Sequence, residues 1–463
     1  MLRLSDIAIL LVIALAACSS DGTQPADLPP QQEADSTPLD LEIQTQEVRG
    51  PEWTPVPPHV EKVGRFNLVW LAGTPYEMGV QHGELLHDVI ADAVAFIEAD
   101  LTLAAIPMVA KDMGLIDIAL ANSYPDIVDE CQGLVDAAGD TGFTMDYCLV
   151  LNFGDVLLEM IANGIPNAPE GPGCSSAIVS GKATTGGRLL HARNLDWGGM
   201  NIAIIHQHPV IFVRQPVGAI PHVYVGFPLN LSPYSAMNLA GIAMGSHEAE
   251  PGGLAEQSAT GRSHVQMLGQ IMKQADSLDG VRSFINNQQH MSAELFSVSD
   301  GNSSTGSIFE MTASAVRERS LQDDVVFGTN HFLHPDMLAK QAAPSSGSLN
   351  RMLRFEQLLA KEGEESHWGT IDEMALATVM RDPIDPEVGA AESDETLEAK
   401  NWDNDGSLGA NGPMHFIIFD PASLLFYVDA GVLPLHKQPY TCFSLEELLG
   451  LPDATPCPVT ELP

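Results

Sequence analysis

The residue pattern predicts an α+β layered protein, and three observations carry that prediction. Helical periodicity dominates between Tyr76 and Gly139, a dense series of short strands begins near Ser176, and later helices are interspersed among strands instead of alternating regularly with them. The 463 residues, 45% hydrophobic and 18% charged, suffice for one large domain or two ordinary ones with a substantial core.

The first structured element is a strand over Asn67–Ala72, closed by the turn Gly73-Thr74-Pro75. Tyr76 to Leu103 reads as helix, because Met78, Val80, Leu85, Leu86 and Ile90 recur at helical spacing. Two or three further helices follow up to Gly139, including Asp126 to Ala138. The Pro/Gly/Asn-rich run from Pro166 to Gly173 is a loop that delivers the chain to Cys174.

Beyond Cys174 the texture becomes β. Ser176–Ser180, the Gly186-Gly187 turn and Arg188–Arg193 form a predicted hairpin. Further strands are expected at 210–214, 222–226, 242–246, 295–298, 307–311 and 325–329. A last hairpin joins 414–419 to 423–428 through Pro421-Ala422. One helix is expected over His264–Asn287, with Asp279-Gly280 as an internal breaker. The acidic stretch from Asp382 to Asp405 reads as a surface loop or insertion.

The start of the chain reads as an export signal. An apolar run from Ile7 to Ala17 leads to Leu15-Ala16-Ala17-Cys18, a lipobox, and is too short to span a bilayer comfortably. Residues 1–17 are therefore expected to be removed and Cys18 to carry a lipid, tethering the protein to the bacterial cell envelope. Ser19 favours the outer membrane as destination. Residues 18–62, rich in Pro, Gln, Asp, Thr and Glu, are expected to be a flexible tether. Residues 63–173 and 174–463 are expected to be a smaller and a larger segment of the folded part.

Charge narrows the partners. Lys and Arg number 21 against 61 Asp and Glu, a formal net charge of −40, which leaves no basic groove for nucleic acid. No zinc signature, phosphate-cradling loop or Gly-x-Ser-x-Gly elbow occurs, so neither a metal nor a cofactor is expected. Of six cysteines, Cys18 is assigned to lipidation and Cys174 to chemistry. Cys442 and Cys457 are the favoured bridge, whereas Cys131 and Cys148 read equally as buried free thiols.

The chemistry centres on Gly173-Cys174-Ser175-Ser176 and, one strand later, Arg193-Asn194-Leu195-Asp196. A thiol opening a strand can attack the carbonyl just before it. The thioester is then hydrolysed to leave a new chain starting at Cys174, whose α-amino group, with an ordinary pKa of about 7.7 to 8.0, serves as base to its own thiol. Arg193 and Asp196 would orient the amine and tune the thiol. His191, His331 and His334 offer a competing Cys-His arrangement without self-cleavage, and a binding lipoprotein without chemistry is a further alternative.

These residues resemble those of the acyl-coenzyme A:6-aminopenicillanic acid acyltransferase-like family of autoproteolytic N-terminal-nucleophile (Ntn) hydrolases (peptidase C45), which is related to bile salt hydrolases and acid ceramidase. Gly73-Thr74-Pro75-Tyr76-Glu77-Met78-Gly79-Val80-Gln81-His82-Gly83 is similar to the family's strand-to-helix opening and Glu130-Cys131-Gln132-Gly133-Leu134 to a later helix. Cys174 corresponds to the nucleophile, and Arg193 and Asp196 to the family's arginine and aspartate. Thr329-Asn330-His331 resembles the segment whose asparagine helps to form the oxyanion hole, so Asn330 is expected to donate there. Ser348–Arg354 resembles the segment with a second active-site arginine, assigned to Arg351 rather than Arg354.

The resemblance implies an Ntn-hydrolase four-layer αββα sandwich with an N-terminal helical segment, cut between Gly173 and Cys174 into two chains that stay associated. It implies amide hydrolysis, with acyl transfer as a related capacity, on a small acylated substrate. Two departures stand out: Ser175 replaces a frequent threonine, and Gly245-Ser246-His247 lacks the asparagine of several relatives, so no second oxyanion contact is assigned.

Overall fold

A computed structural model describes residues 54–153, 173–196, 207–391, 406–409, 413–432 and 435–463. The expected signal and lipobox at Cys18, most of the expected tether, residues 166–172 and most of the acidic stretch lie outside the described residues.

The strands are, in chain order, β1 (His59–Val63), β2 (Phe66–Gly73), β3 (Cys174–Gly181), β4 (Gly187–Asp196), β5 (Val210–Pro216), β6 (His222–Gly226), β7 (Ser235–Asn238), β8 (Ile242–Glu248), β9 (Glu294–Asp300), β10 (Thr305–Thr312), β11 (Ala315–Ser320), β12 (Val325–Gly328), the two-residue pair β13 (Ile384–Asp385) and β14 (Ala390–Ala391), β15 (Pro413–Asp420), β16 (Leu425–Ala430), β17 (Tyr440–Ser444) and β18 (Glu461–Leu462). One sheet has the order β1-β2-β5-β6-β7-β8-β9-β10-β11 and the other β12-β3-β4-β15-β16-β17-β18. β2 and β5 pair in parallel, joining the segment before Cys174 to the segment after it.

The central strands are buried on both faces, and their alternate residues enter different core clusters, which separates four layers. Between the sheets, Phe66, Leu68, Trp70, Ile211 and Val213 meet Ile417, Phe419, Phe426 and Val428. On the outer face of the first sheet, Val69, Phe212, Met244 and Phe296 pack under residues of helices Pro75–Leu85, His87–Ala99, Pro125–Ala138, His264–Gln274 and Leu278–Asn286. On the outer face of the second, Ala177, Val179, Leu190, Phe416 and Ile418 are covered by helices Ser346–Leu359 and Glu373–Met380. The expected α+β, αββα sandwich is the architecture observed.

Several boundaries differ from expectation, each for a local reason. The Tyr76–Leu103 helix is three helices, starting at Pro75 because Thr74 and Glu77 form a reciprocal cap, with Thr74 N donating to Glu77 Oε2 at 2.8 Å. Breaks fall at Leu86 and Asp100. The His264–Asn287 helix breaks at Ala275–Ser277 instead of at Asp279-Gly280. Ser277 accepts from Gly280 N and caps the second helix, which places Asp279 in its first turn, where a negative charge is favoured. His59–Lys62, assigned to the tether by composition, form most of edge strand β1. Here backbone pairing with β2 and the stacking of His59 on Trp70 at 4.1 Å supply what apolar content does not.

Helices Pro75–Leu85 and Pro125–Ala138 lie in backbone contact because of two glycines. A methyl on Gly79 would fall 2.1 Å from Glu130 O, and one on Gly133 would fall 2.2 Å from Tyr76 O. Disulfides join Cys131 to Cys148 and Cys442 to Cys457, so the pair left open by sequence is bridged as well.

Candidate active site

Cys174 is the first residue of β3, in the interior of the second sheet between β12 and β4. Alternation along β3 directs Cys174 and Ser176 between the sheets and Ser175 toward helix Ser346–Leu359. On β4 the paired residues His191, Arg193 and Leu195 share the inter-sheet face. Cys174 is 2% exposed and is the free cysteine among the described residues.

Each backbone and side-chain polar atom of Cys174 has a partner. Its N–H donates to Asn330 Oδ1 at 2.6 Å, its carbonyl accepts from Arg351 Nη1 at 2.5 Å, and its Sγ accepts from Arg193 Nη2 at 3.2 Å. The preceding carbonyl, Gly173 O, accepts from the Asp196 backbone N–H at 2.8 Å. The Asp196 side chain lies beside Gly173, whose added methyl would sit 3.4 Å from Asp196 Cβ and Oδ2. The structure thus brings Gly173, Cys174, Arg193, Asp196, Asn330 and Arg351 together.

Asn330 differs from expectation. Its carboxamide oxygen faces two donors, Cys174 N–H and Arg351 Nη2 at 3.0 Å, while Nδ2 donates to Glu248 O at 2.8 Å. Two donors facing one atom require that atom to be the oxygen. In the continuous chain Asn330 is therefore an acceptor at the nucleophile's nitrogen, not a donor to an oxyanion. Ser348 Oγ fixes it by accepting from Asn330 N at 2.9 Å.

Arg351 also donates to Ser175 Oγ at 2.9 Å, which ties it to both sides of the Cys174 carbonyl. Arg354, one helical turn on, is instead occupied by Asp382 and Glu365. Arg193 reaches the thiol along the inter-sheet layer by packing on Gly245 of the first sheet, where a methyl would fall 2.6 Å from Arg193 Cγ. Its Nη2 also donates to Ser246 O.

Burial pushes the Cys174 thiol up from its ordinary value; Arg193 and Arg351 oppose this and Asp196 adds to it. The histidines weighed from sequence lie elsewhere. His191 is hydrogen-bonded to Ser299 and Ser297, His331 to Ser348 and Thr329, and His334 accepts from Asp336 N. The histidine that reaches the Cys174 face of β3 is His247, missed because only its difference from the family pattern was visible. It is 2% exposed, and its Nε2 is 2.5 Å from Ser176 Oγ, two residues along β3 from Cys174. Burial and the charges of Arg193 and Arg351 hold it well below the ordinary imidazole range, so it is neutral.

Among the described residues no group of three or more His, Cys, Asp or Glu is placed to hold a metal ion. Nor is any helix there long and apolar enough to cross a membrane.

Three solved structures are similar over part of the chain. An N-acylethanolamine-hydrolyzing acid amidase ortholog of Caenorhabditis elegans is 11% identical and covers 54% of this chain and 93% of its own, with a TM-score of 0.36. A mutant conjugated bile acid hydrolase from Clostridium perfringens is 10% identical, covering 59% and 93%, with a TM-score of 0.36. Penicillin V acylase from Agrobacterium tumefaciens is 14% identical, covering 58% and 86%, with a TM-score of 0.33. An uncharacterized protein of Archaeoglobus fulgidus is 26% identical over 309 residues, 58% of this chain; the chain spans about half, 51%, of that curated relative's length. Residues 184–377, which include Arg193, Asp196, Asn330 and Arg351, match the model of the family described as AAT: Acyl-coenzyme A:6-aminopenicillanic acid acyl-transferase, the family that the residues themselves resemble.

Proposed function

We propose that this chain is an Ntn-type amide hydrolase, with acyl transfer as a related capacity, that activates itself by cleaving between Gly173 and Cys174. One observation carries the reading. The Gly173–Cys174 peptide opens an interior strand with a donor on its carbonyl oxygen, an acceptor on its nitrogen and a guanidinium on the neighbouring thiol.

Sγ attacks the Gly173 carbonyl carbon, and negative charge develops on the oxygen that already accepts from Asp196 N–H. The C–N bond then breaks, and the thiol proton passes to the departing Cys174 nitrogen, leaving Gly173 as a thioester on Sγ. Water adds to that carbonyl, releasing a Gly173 carboxylate and restoring the thiol. The new α-amine is held by Asn330 Oδ1, while Arg351 holds the Cys174 carbonyl. With an ordinary pKa of about 7.7 to 8.0, the amine is deprotonated in roughly a tenth to a sixth of molecules at pH 7 and takes the thiol proton in turn.

The same thiol then attacks the carbonyl of an acylated amine, forming an acyl-thioester, expelling the amine and passing the acyl group to water or to an acceptor amine. The substrate class is a small N-acyl amide or related acyl compound. Export through the lipobox at Cys18 to the envelope favours water as acceptor, since coenzyme A thioesters are cytoplasmic reagents.

Intact masses and N-terminal sequencing of the wild type and of Cys174→Ala test the reading. The expected result is a wild-type fragment beginning Cys174-Ser175-Ser176 and an uncut variant. A wild type that stays one chain across mildly acidic and neutral pH overturns self-cleavage, and palmitate labelling that survives Cys18→Ala overturns the anchor.

A further inference from the structure

Beneath the Gly173–Cys174 bond, between the sheets, runs a row of hydrogen-bonded side chains that none of these steps uses. His247 Nε2 lies 2.5 Å from Ser176 Oγ, Ser297 Oγ donates to Ser176 Oγ at 3.0 Å, and His191 Nε2 lies 3.0 Å from Ser297 Oγ. His247 belongs to β8 and Ser297 to β9, adjacent strands of the first sheet, whereas Ser176 belongs to β3 of the second. The row therefore pins the opening residues of β3 to the opposite sheet.

We infer that His247 is a positioning residue for the nucleophile: through Ser176 it holds the thiol against Arg193 and toward the Gly173 carbonyl. The chemistry of the row supports this. The Ser176 hydroxyl stands between Ser297 Oγ and Nε2 of the neutral imidazole, so it is held from two adjacent strands of the first sheet. Cys174 and Ser176 stand two residues apart on one strand face, so a shift of Ser176 moves the thiol with it. Neutrality matters as well, because a third cation beside Arg193 and Arg351 would repel the groups that hold Sγ and the Cys174 carbonyl.

The inference rests on the proposed function and is separable from it. The full chain is prepared as wild type, His247→Leu, which keeps bulk without polar atoms, and His247→Gln, which keeps a polar group for the Ser176 hydroxyl. Two readouts are taken: the rate of self-cleavage, and the pH dependence of iodoacetamide alkylation at Cys174, located by peptide mass mapping. The leucine variant is expected to cleave about tenfold more slowly and to alkylate with its inflection moved to higher pH, because Sγ slips from Arg193. Glutamine restores both to within about threefold.

If the leucine variant retains the wild-type alkylation profile and, where the wild type cleaves, its cleavage rate, the inference is overturned while self-cleavage stands. Failure of glutamine to rescue a well-folded chain likewise overturns it. If the wild type does not cleave yet its alkylation profile shifts in the leucine variant, the positioning role stands and self-cleavage fails.

Discussion

The Asp196 backbone N–H donates to the carbonyl oxygen of Gly173 at 2.8 Å. The carbonyl proposed to be attacked thus has a donor in place before any charge develops, as part of the ladder joining β3 to β4. Such a donor needs no reorganisation during the reaction. On the other side of the same peptide bond, Asn330 Oδ1 accepts from Cys174 N.

That contact separates two roles for Asn330. Asn330→Ala leaves the Cys174 N–H and Arg351 Nη2 without their acceptor, and self-cleavage is expected to slow by about tenfold to a hundredfold. Asn330→Asp keeps the acceptor and removes only the Nδ2 donation to Glu248 O, so it is expected to cleave faster than the alanine variant. Equal loss in both, followed by time-resolved gel densitometry, would restore the donor role first expected of this residue.

The layered class, the strand that opens at Cys174 and the hairpin to Asp196 were legible because period-two apolar runs and glycine turns are local signals. The residues around Cys174 were legible through family resemblance. Three features were not. β1 carries little apolar pattern and exists through its pairing with β2. The acceptor role of Asn330 depends on which donors converge on it from β3 and from helix Ser346–Leu359, a long-range fact. His247 is on a strand seen in outline, Ile242–Ser246, but its meeting with Ser176 depends on how the two sheets stack. Sequence spacing orders residues along a strand and says little about what faces them across a layer.

The cleaved protein is expected to remain one particle without a covalent link. Cys131–Cys148 lies wholly before the cut and Cys442–Cys457 wholly after it, so a non-reducing denaturing gel should resolve two bands while gel filtration gives one species. Parallel pairing of β2 with β5 holds the pieces, as does the buried pair of Glu130 and Arg214 at 2.6 Å. Arg214→Met strands Glu130 in the interior and should cost about 3–5 kcal/mol. Adding Glu130→Leu removes that charge and should return much of the loss in denaturant midpoint. A double variant no more stable than the single one would show that the pair is not the coupling.

Acid should destabilise the fold well before the carboxylates are protonated. His82, His290 and His331 are lowered to about 4 and His191 and His222 to about 3, while His247 and His415 lie well below the ordinary value, burial being the first cause in all seven. In the unfolded chain each protonates near 6.5, so as pH falls from there toward 4 the unfolded state gains protons that the folded state refuses. Stability is therefore present above about 6.5 and falls below it, by on the order of 1.4 kcal/mol per pH unit for each fully buried ring. Asp429 works the other way. Burial raises it to about 7, with Arg65 only partly opposing, so over the same window its folded form binds a proton that the unfolded form does not. One such group against seven leaves the sign unchanged. Thermal midpoints measured at intervals from pH 8 to pH 4 should hold near the top of that range and decline steeply below 6.5. His222→Asn, at a ring that touches neither Cys174 nor the serine row, should flatten part of the decline; a midpoint that is level or rising down to pH 4.5 would contradict the neutral, buried state of these rings.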